Sequence, residues 1–352
     1  MDRRTRANRL GMTDRTDPYE RKVQLTGGTT YTVSLPKGWA NDRSLDTGDT
    51  LHLHPRGGRL LLAPPETEGG DRTVSLSAAR HDPTGIGRLV AAAYVAGADV
   101  VRVDGSPDRA DRAAVRDAVG GLVGIEIAEE TAETMVARTM LDVADLPPTR
   151  TLERMADRTL SLHAEAVAAA LAGDGEAGRK IRGQDDDVDR LFGLLSREFQ
   201  RSLVEVPAHG DGGLTPFDHY AIARQLERVA DHAEKIAEAA EAIAEPPSDP
   251  VAADLDRLAT DARAAVERAF SEAIGECDPR ALGAMVADAE ELLEETRRLD
   301  RELYRRELAD GYVLATVLDS ITRTVEYGIN VAEVGLRAAL RNAPDRSTAE
   351  PT

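Results

Sequence analysis

The chain has 352 residues, of which 63 are acidic and 44 basic, so its net charge is −19. Only four basic residues are lysines and aromatic residues make up 3% of the chain, a composition that indicates a halophilic source, because a strongly solvated acidic surface keeps proteins in solution at molar salt. The single cysteine excludes an intramolecular disulfide and a cysteine-rich metal site, and the absence of a visible signal peptide or an apolar run of roughly 18 residues predicts a cytoplasmic protein without a membrane span.

Charge is distributed unevenly along the chain. Residues 1–64 carry a net charge of +4, whereas residues 65–352 carry −23. Such asymmetry indicates a partner-specific surface, and the basic end is where a nucleic acid would bind. Residues 1–20 are rich in arginine and have almost no apolar content, so we expect a disordered basic tail.

Residues 21–65 show the pattern of short strands. KVQLTG and TTYTVSLP alternate in period two around a turn at Gly27 and Gly28, Pro36 opens a short helical segment, and two more strands flank Gly57 and Gly58. Four short strands cannot bury enough surface alone. The order V-S-L-P-K, short helix, L-D-T-G-D-T-L and closing hairpin resembles the AbrB/MazE/SpoVT swapped-hairpin domain, in which two chains interleave.

This resemblance implies a homodimer that binds DNA through basic loops. Carried onto this sequence, the DNA-binding candidates are Arg21, Lys22, Lys37 and Arg43, whose charge and donors suit phosphate contacts. The alternative is that they are solubilising surface residues. Residues 21–64 hold six basic residues against three aspartates, molar salt removes most counterion-release affinity, and some swapped-hairpin domains only dimerise or bind protein.

Residues 66–147 alternate strand and helix signals and predict a small α/β domain. RTVSLSA and ADVVRVDG are typical of strands separated by a helix near 85–96, DRADRAAVRDAVGG predicts a second helix, and VGIEIAEET and ETMVARTML predict two further strands. The segment contains no P-loop and no G-x-G-x-x-G, so it lacks a nucleotide-binding signature. It is either a ligand sensor or a spacer between the head and the helical body, and the spacer interpretation is preferred.

Residues 148–342 carry helical periodicity and an internal duplication. LERMAD at Glu153 and Asp157 recurs as LERVAD at Glu227 and Asp231, and VDRLFGLLSREF (188–199) is echoed by LDRELYRREL (299–308). PPSDP (246–250) separates the two halves. The predicted helices are 151–172, 176–203 and 217–240, then 251–274, 281–308 and 311–340, followed by a polar tail at 343–352.

LERVADHAEKIAE resembles the signature helix of PhoU, a phosphate-signalling protein built from two similar three-helix bundles, and LVGIEIAEET resembles the segment that precedes the bundles in archaeal PhoU-like proteins. The expected fold class is therefore multidomain α+β: a swapped-hairpin β domain (21–65), a small α/β domain (66–147) and two tandem three-helix bundles (148–245 and 250–342).

Carboxylates at i and i+4 lie one helical turn apart and repel each other unless a cation lies between them. PhoU-family E/D-x-x-x-D motifs imply metal sites, and such oxygen ligands suit Mg²⁺, Mn²⁺ or iron. The predicted ligands in the first bundle are Glu153, Asp157, Glu227 and Asp231, with Asp189 from the middle helix. The alternative is a solvated acidic surface.

The second bundle departs from this motif. Its corresponding positions are Asp256 with Thr260 and Glu326 with Asn330, so each pair has lost one carboxylate and weaker metal binding or none is expected, unless Asp261 or Asp300 substitutes. No E-x-x-H motif of di-iron bundles and no nucleophile elbow or Ser/His/Asp grouping stands out, so we expect that the protein is not an enzyme.

Two functions remain open. The first is a dimeric DNA-binding regulator of phosphate uptake and intracellular phosphate. The second is a dimeric adaptor whose head only dimerises, and which modulates a phosphate ABC transporter ATPase or a signalling kinase, the partners that the PhoU resemblance implies.

Overall fold

The computed structural model describes residues 19–56, 59–63, 71–140, 146–203, 213–305 and 310–343. The tails predicted at 1–20 and 343–352 lie largely outside these residues. The chain divides into two compact units, Met1–Gly69 and Gly70–Thr352. No helix among the described residues is long and apolar enough to cross a membrane.

The first unit contains two antiparallel hairpins and a short helix. Its elements are β1 (Gln24–Thr26), β2 (Thr30–Thr32), α1 (Lys37–Asp42), β3 (His52–Arg56) and β4 (Arg59–Ala63). The predicted turn between β1 and β2 is confirmed: Gly27 and Gly28 have φ of +62° and +80°, which glycine adopts without steric cost. The turn predicted at Gly57 and Gly58 lies outside the described residues.

The second unit begins with an α/β layer. Its elements are β5 (Thr73–Ser77), α2 (Pro83–Val95), β6 (Val100–Asp104), α3 (Arg109–Gly120), β7 (Ile125–Glu130) and β8 (Thr134–Thr139). The sheet order is β5-β6-β8-β7, with β5 parallel to β6 and the other neighbours antiparallel. Apolar residues of α2 and α3 form a core with inward residues of the strands, including Ile86, Tyr94, Val101 and Met135. The predicted strands and helices of this segment are therefore all present.

The helical body follows. Its helices are α4 (Pro148–Ala172), α5 (Gly175–Ile181), α6 (Asp186–Ser202), α7 (Pro216–Ala242), α8 (Asp249–Ile274), α9 (Pro279–Arg305) and α10 (Gly311–Asn342). One continuous hydrophobic core runs through residues of both predicted bundles, from Leu152 to Val334. The two halves therefore stabilise each other instead of each burying a separate core.

One predicted helix is wrong in detail. The helix expected over 176–203 is two helices, α5 and α6, because the chain turns at Gly183, whose φ is +75°. Gly178 explains how α5 packs: a Cβ at this position would lie 2.5 Å from the carbonyl oxygen of Ala237 on α7. The break lets α5 lie directly against α7 and lets α6 start in a new direction.

Candidate functional site

Helix α7 carries the repeated acidic phrase and is fixed at its start. Thr215 and Asp218 form a capping box, which satisfies backbone amides that the first turn of a helix leaves unpaired. The buried Asp218 also accepts a hydrogen bond from Arg341 Nη2 at 2.6 Å, which ties this end of α7 to the end of α10. The position of the acidic residues further along α7 is therefore well determined by its surroundings.

Glu227 is the least exposed of the predicted metal ligands. Its side chain is 13% exposed, Oε1 accepts a hydrogen bond from Arg224 Nη1 at 3.0 Å, and Oε2 is buried without a partner among the described residues. Burial raises the pKa of Glu227, and the neighbouring charges of Asp231 and Asp189 add to the rise. A buried carboxylate oxygen without a donor is costly, so this atom is a place where a proton or a cation would be stabilising.

The other acidic neighbours of Glu227 come from α7 and from the start of α6. Asp189 is the most affected, since burial followed by the charges of Asp185 and Asp231 raises its pKa to about 6. Burial also raises the pKa values of Asp231 and Glu234, and Asp185 contributes to both. We call this group the acidic seam; it consists of Asp185, Asp189, Glu227, Asp231 and Glu234.

Glu153 and Asp157 lie apart from the acidic seam. Both are exposed on α4. Thr159 Oγ1 lies 3.5 Å from the carbonyl oxygen of Leu226, and Gly173 lies against Pro246, so α4 and α7 pack side by side. Neither Glu153 nor Asp157 is among the charges that most affect the pKa values of Asp189, Glu227 and Asp231.

The carboxylates suit a hard cation in their chemistry, but the five predicted ligands do not converge. No group of three or more Asp, Glu, His or Cys side chains in the described part of the chain is arranged to hold a metal ion. The structure brings Asp189 together with Glu227 and Asp231, and leaves Glu153 and Asp157 exposed on α4. Asp185 and Glu234 were missed, although the acidic stripe of α7 and the run of three aspartates at 185–187 were visible in the sequence.

The weaker candidates of the second bundle are differently placed. Glu326 Oε2 accepts a hydrogen bond from Arg323 at 2.8 Å, and Asn330 Nδ2 donates to Gln225 Oε1 at 3.0 Å. Asp256 is exposed on α8. Asp261 pairs with Arg257 at 3.2 Å, and Asp300 is exposed on α9. The carboxylate of Glu326 is thus balanced by an arginine.

The four DNA-binding candidates are all exposed in the first unit. Lys37 is the first residue of α1 and Arg43 follows its last residue, so the two lie at opposite ends of one short helix. The guanidinium of Arg21 lies 5.6 Å from the ring centre of Tyr19. None of the four forms an ion pair with a carboxylate in the described residues, which leaves their positive charge available.

A contact that sequence reasoning missed joins the α/β layer to the first bundle. Arg197 of α6 is buried and donates to the carbonyl oxygens of Tyr94 (2.8 Å) and Ala98 (2.6 Å) and to Asp99 Oδ1 (2.8 Å). Arg201 donates to the same oxygen at 2.6 Å. Burial opposes ionisation of Asp99, but the Arg72 amide and both guanidinium groups hold its pKa below the usual value. The layer is therefore fixed to α6 by a charged contact.

Comparisons with known proteins agree with this helical architecture. Residues 152–240 match the family model described as the PhoU domain. The structure of PhoU from Pseudomonas aeruginosa is similar with a TM-score of 0.50 and 20% identity, over 56% of this chain and 96% of that chain. No curated protein matches the chain at a significant level. The helical body thus has a PhoU-like fold, and residues 152–240 within it are similar to the PhoU domain.

Proposed function

We propose that this protein is a cytoplasmic, non-enzymatic regulator of phosphate homeostasis. The match of residues 152–240 to the PhoU domain carries this proposal. The test is phosphate uptake by cells with and without the gene, grown in scarce and in abundant phosphate. We expect uptake in abundant phosphate to rise when the gene is removed and to return to normal when it is restored. Equal uptake in all strains would contradict the proposal.

The first unit is proposed to act as a homodimer. None of its described residues is buried. Leu25 and Tyr31 lie opposite each other on β1 and β2 with exposed fractions of 59% and 76%, and Val23, Val33, Leu53 and Leu60 are also more than half exposed. Two isolated hairpins with this much exposed apolar surface are not stable in water. A second copy would bury these residues, as in the swapped-hairpin domains that the sequence resembles.

The dimer is tested with full-length protein. Leu25→Glu combined with Tyr31→Glu would place charges at the covered surface, and light scattering coupled to size exclusion should report a monomer. Leu340→Glu on α10 is the control, because Leu340 is equally exposed at 69% but lies in the other unit. A dimer that persists in the double variant would exclude this interface.

DNA binding by the first unit is the favoured mode of regulation. The exposed Lys37 and Arg43 at the two ends of α1 support it, because phosphate contacts require only positive charge and donors. Lys37→Glu with Arg43→Glu should abolish an electrophoretic shift of promoter DNA from phosphate-uptake genes. Arg297→Glu with Arg298→Glu on α9 changes the net charge equally and should leave the shift intact.

The alternative is an adaptor that contacts a phosphate transporter ATPase or a signalling kinase. The small basic excess of residues 21–64 favours it, since counterion release contributes little to affinity at molar salt. A wild-type protein that shifts no DNA at any salt concentration, but co-purifies with one of these partners, would favour the adaptor.

Metal binding in the first bundle is proposed at Asp189, Glu227 and Asp231. Their clustered charge and the unpartnered Glu227 Oε2 support it. Glu227→Gln with Asp231→Asn should remove the Mg, Mn or Fe that elemental analysis finds in the purified protein. Glu153→Gln with Asp157→Asn tests the more distant pair of candidates separately. Metal content that is unchanged in both double variants would contradict the site.

A further inference from the structure

A second cluster of charged residues lies in a cleft between α4 and α6 of the first bundle. This cleft of about 630 Å³ is lined by α4, by α6 and by Val123 from the segment between α3 and β7. On α4 its lining residues recur every three or four positions, the spacing of one helix face; they are Thr151, Arg154, Asp157, Arg158 and Ser161. Such a size falls in the range of small-molecule sites.

The arginines of α4 in this cleft form no ion pair with a described residue, although Asp157 and Asp187 also line it. Arg154 is exposed and makes no hydrogen bond or ion pair with a described residue. Arg158 donates from Nη2 to the neutral Gln184 Oε1 at 2.8 Å, and its Nε is buried without an acceptor among the described atoms. Two like charges one helical turn apart repel each other, and a buried donor without an acceptor is costly. An anion between them would remove both costs.

Arg190 adds a third positive group from α6. It donates to the carbonyl oxygen of Gly120 at the end of α3 and lies 4.0 Å from Asp187 Oδ1. The buried Leu194 and the half-buried Leu191 also line the cleft, and apolar walls strengthen the attraction between a guanidinium and an anion. Arginine recognises phosphate oxygens through paired hydrogen bonds.

We infer that this cleft binds phosphate, with Arg154 and Arg158 holding its oxygens and Asp157 accepting a hydrogen bond from its P–OH group. A carboxylate in an anion site repels most anions. Inorganic phosphate at neutral pH still carries at least one proton, which Asp157 can accept, whereas sulfate carries none and a fully ionised phosphate monoester carries none. Asp157 therefore selects inorganic phosphate.

Because of where the cleft lies, phosphate bound in it would affect the contact between the α/β layer and the first bundle. Its walls include Val123 of the α/β layer as well as two helices of the bundle, and Arg190 already links α6 to Gly120. Phosphate would tighten the contact between the layer and the bundle, which makes the α/β layer part of a sensor and not merely a spacer. This regulatory role rests on the proposed function, whereas phosphate binding does not.

Isothermal titration of the full-length protein tests the inference with inorganic phosphate, sulfate and adenosine 5′-monophosphate as probes. We expect one phosphate per chain and at least about tenfold weaker binding of the other two. Arg154→Glu should abolish phosphate binding without affecting the fold, since Arg154 is exposed and makes no hydrogen bond or ion pair with a described residue. Arg297→Glu on α9, an exposed arginine outside the cleft, is the control.

Asp157→Asn tests the role of the carboxylate directly. In this variant the affinities for phosphate and sulfate should differ less than in wild type. Failure of phosphate to bind, equal binding of sulfate, tighter binding of the monophosphate, or unchanged binding by Arg154→Glu would each overturn the inference. If no phosphate binds while gene removal still alters phosphate uptake, the inference fails and the proposed function stands. If phosphate binds while uptake is unaffected, the site stands and the proposed function fails.

Discussion

The two halves of the helical body share one plan but differ in how their middle helices are used. Residues 188–199 of α6 are echoed by 299–308 of α9. Gly193 on α6 leaves room for Leu122 of the α/β layer, which lies 3.9 Å from where its Cβ would be. The corresponding Tyr304 on α9 is 88% exposed. Helix α6 therefore packs against the α/β layer at this position, whereas the corresponding position of α9 is exposed to solvent.

The acidic residues differ in the same way. In the first half, burial raises the pKa values of Asp189, Glu227 and Asp231, and neighbouring carboxylates add to the rise: Asp185 for Asp189 and Asp231, and Asp231 for Glu227. In the second half, Glu326 is paired with Arg323 and Asp261 with Arg257. Concentrating like charges without equal counter-charge costs stability. Ion pairs alone do not separate the two halves, since Arg224 pairs with Glu227 as Arg323 does with Glu326. The difference is that Glu227 has two further carboxylates nearby, Asp231 and Asp189.

The largest expected loss of stability comes from removing the contact between α6 of the first half and the α/β layer. Arg197→Ala leaves two carbonyl groups without their buried donor and removes a charge that pairs with Asp99, so we expect a loss of about 3 kcal/mol of unfolding free energy. Urea denaturation followed by circular dichroism measures it. Arg301→Ala on α9, where the side chain is exposed, should cost less than about 0.5 kcal/mol. Equal losses of unfolding free energy in the two variants would show that the contact of Arg197 with the α/β layer does not stabilise the protein.

The second largest effect is expected on the pH dependence of stability, at the contact between α4 of the first half and α8 of the second. His163 of α4 is fully buried beside Arg263 of α8, which lies 3.4 Å from Nδ1. Burial, followed by the charges of Arg263 and His232, lowers the pKa of His163 to about 3. The unfolded chain binds this proton near pH 6.5, so stability is complete above that pH and falls as the pH drops from 6.5 towards 3. Between pH 7 and pH 5 the loss from this group should be about 2 kcal/mol.

The measurement is the difference in pH slope between wild type and His163→Gln. The variant should lose less stability between pH 7 and pH 5 than wild type, whatever its absolute stability. His81→Gln replaces an exposed histidine of the α/β layer and should keep the wild-type slope. Identical slopes in all three proteins would show that His163 can be protonated without opening the contact between the two halves.

These comparisons also show what the sequence could reveal. The hairpin at Gly27 and Gly28, the α/β order of 72–140 and the duplicated helices follow from local periodicity and turn chemistry, and the structure contains them. The break at Gly183 was missed because glycine within a helical pattern is often tolerated. Arg197 could not be identified, since its partners are about 100 residues away and nothing local distinguishes it from a surface arginine.

The acidic seam was predicted only in part for a related reason. Spacing along one helix placed Glu227 and Asp231 on the same face, but the relative level of two helices depends on packing. The repeated phrase suggested that Glu153 would face Glu227, whereas Glu153 and Asp157 are exposed on α4 and neither is among the charges that most affect the pKa of Glu227. Sequence duplication therefore located the helices without locating the site between them.

The smallest expected effect tests the seam directly by comparing Asp189 with its counterpart Asp300. Because the folded-state pKa of Asp189 is raised to about 6, its charge destabilises the fold as the pH rises from about 4 through 6. Asp189→Asn should therefore stabilise the chelator-treated protein at pH 8 by about 1 kcal/mol, a value reduced because the residue is exposed and screened by solvent. The gain should vanish near pH 4, where Asp189 in the wild type is itself protonated. Asp300 at the equivalent place on α9 is exposed as well, but it is not part of the acidic seam, so Asp300→Asn should change stability little at either pH. Thermal unfolding at the two pH values measures both variants. If Asp300→Asn stabilised the protein as much as Asp189→Asn, the acidic seam would reflect only the high overall negative charge of the chain.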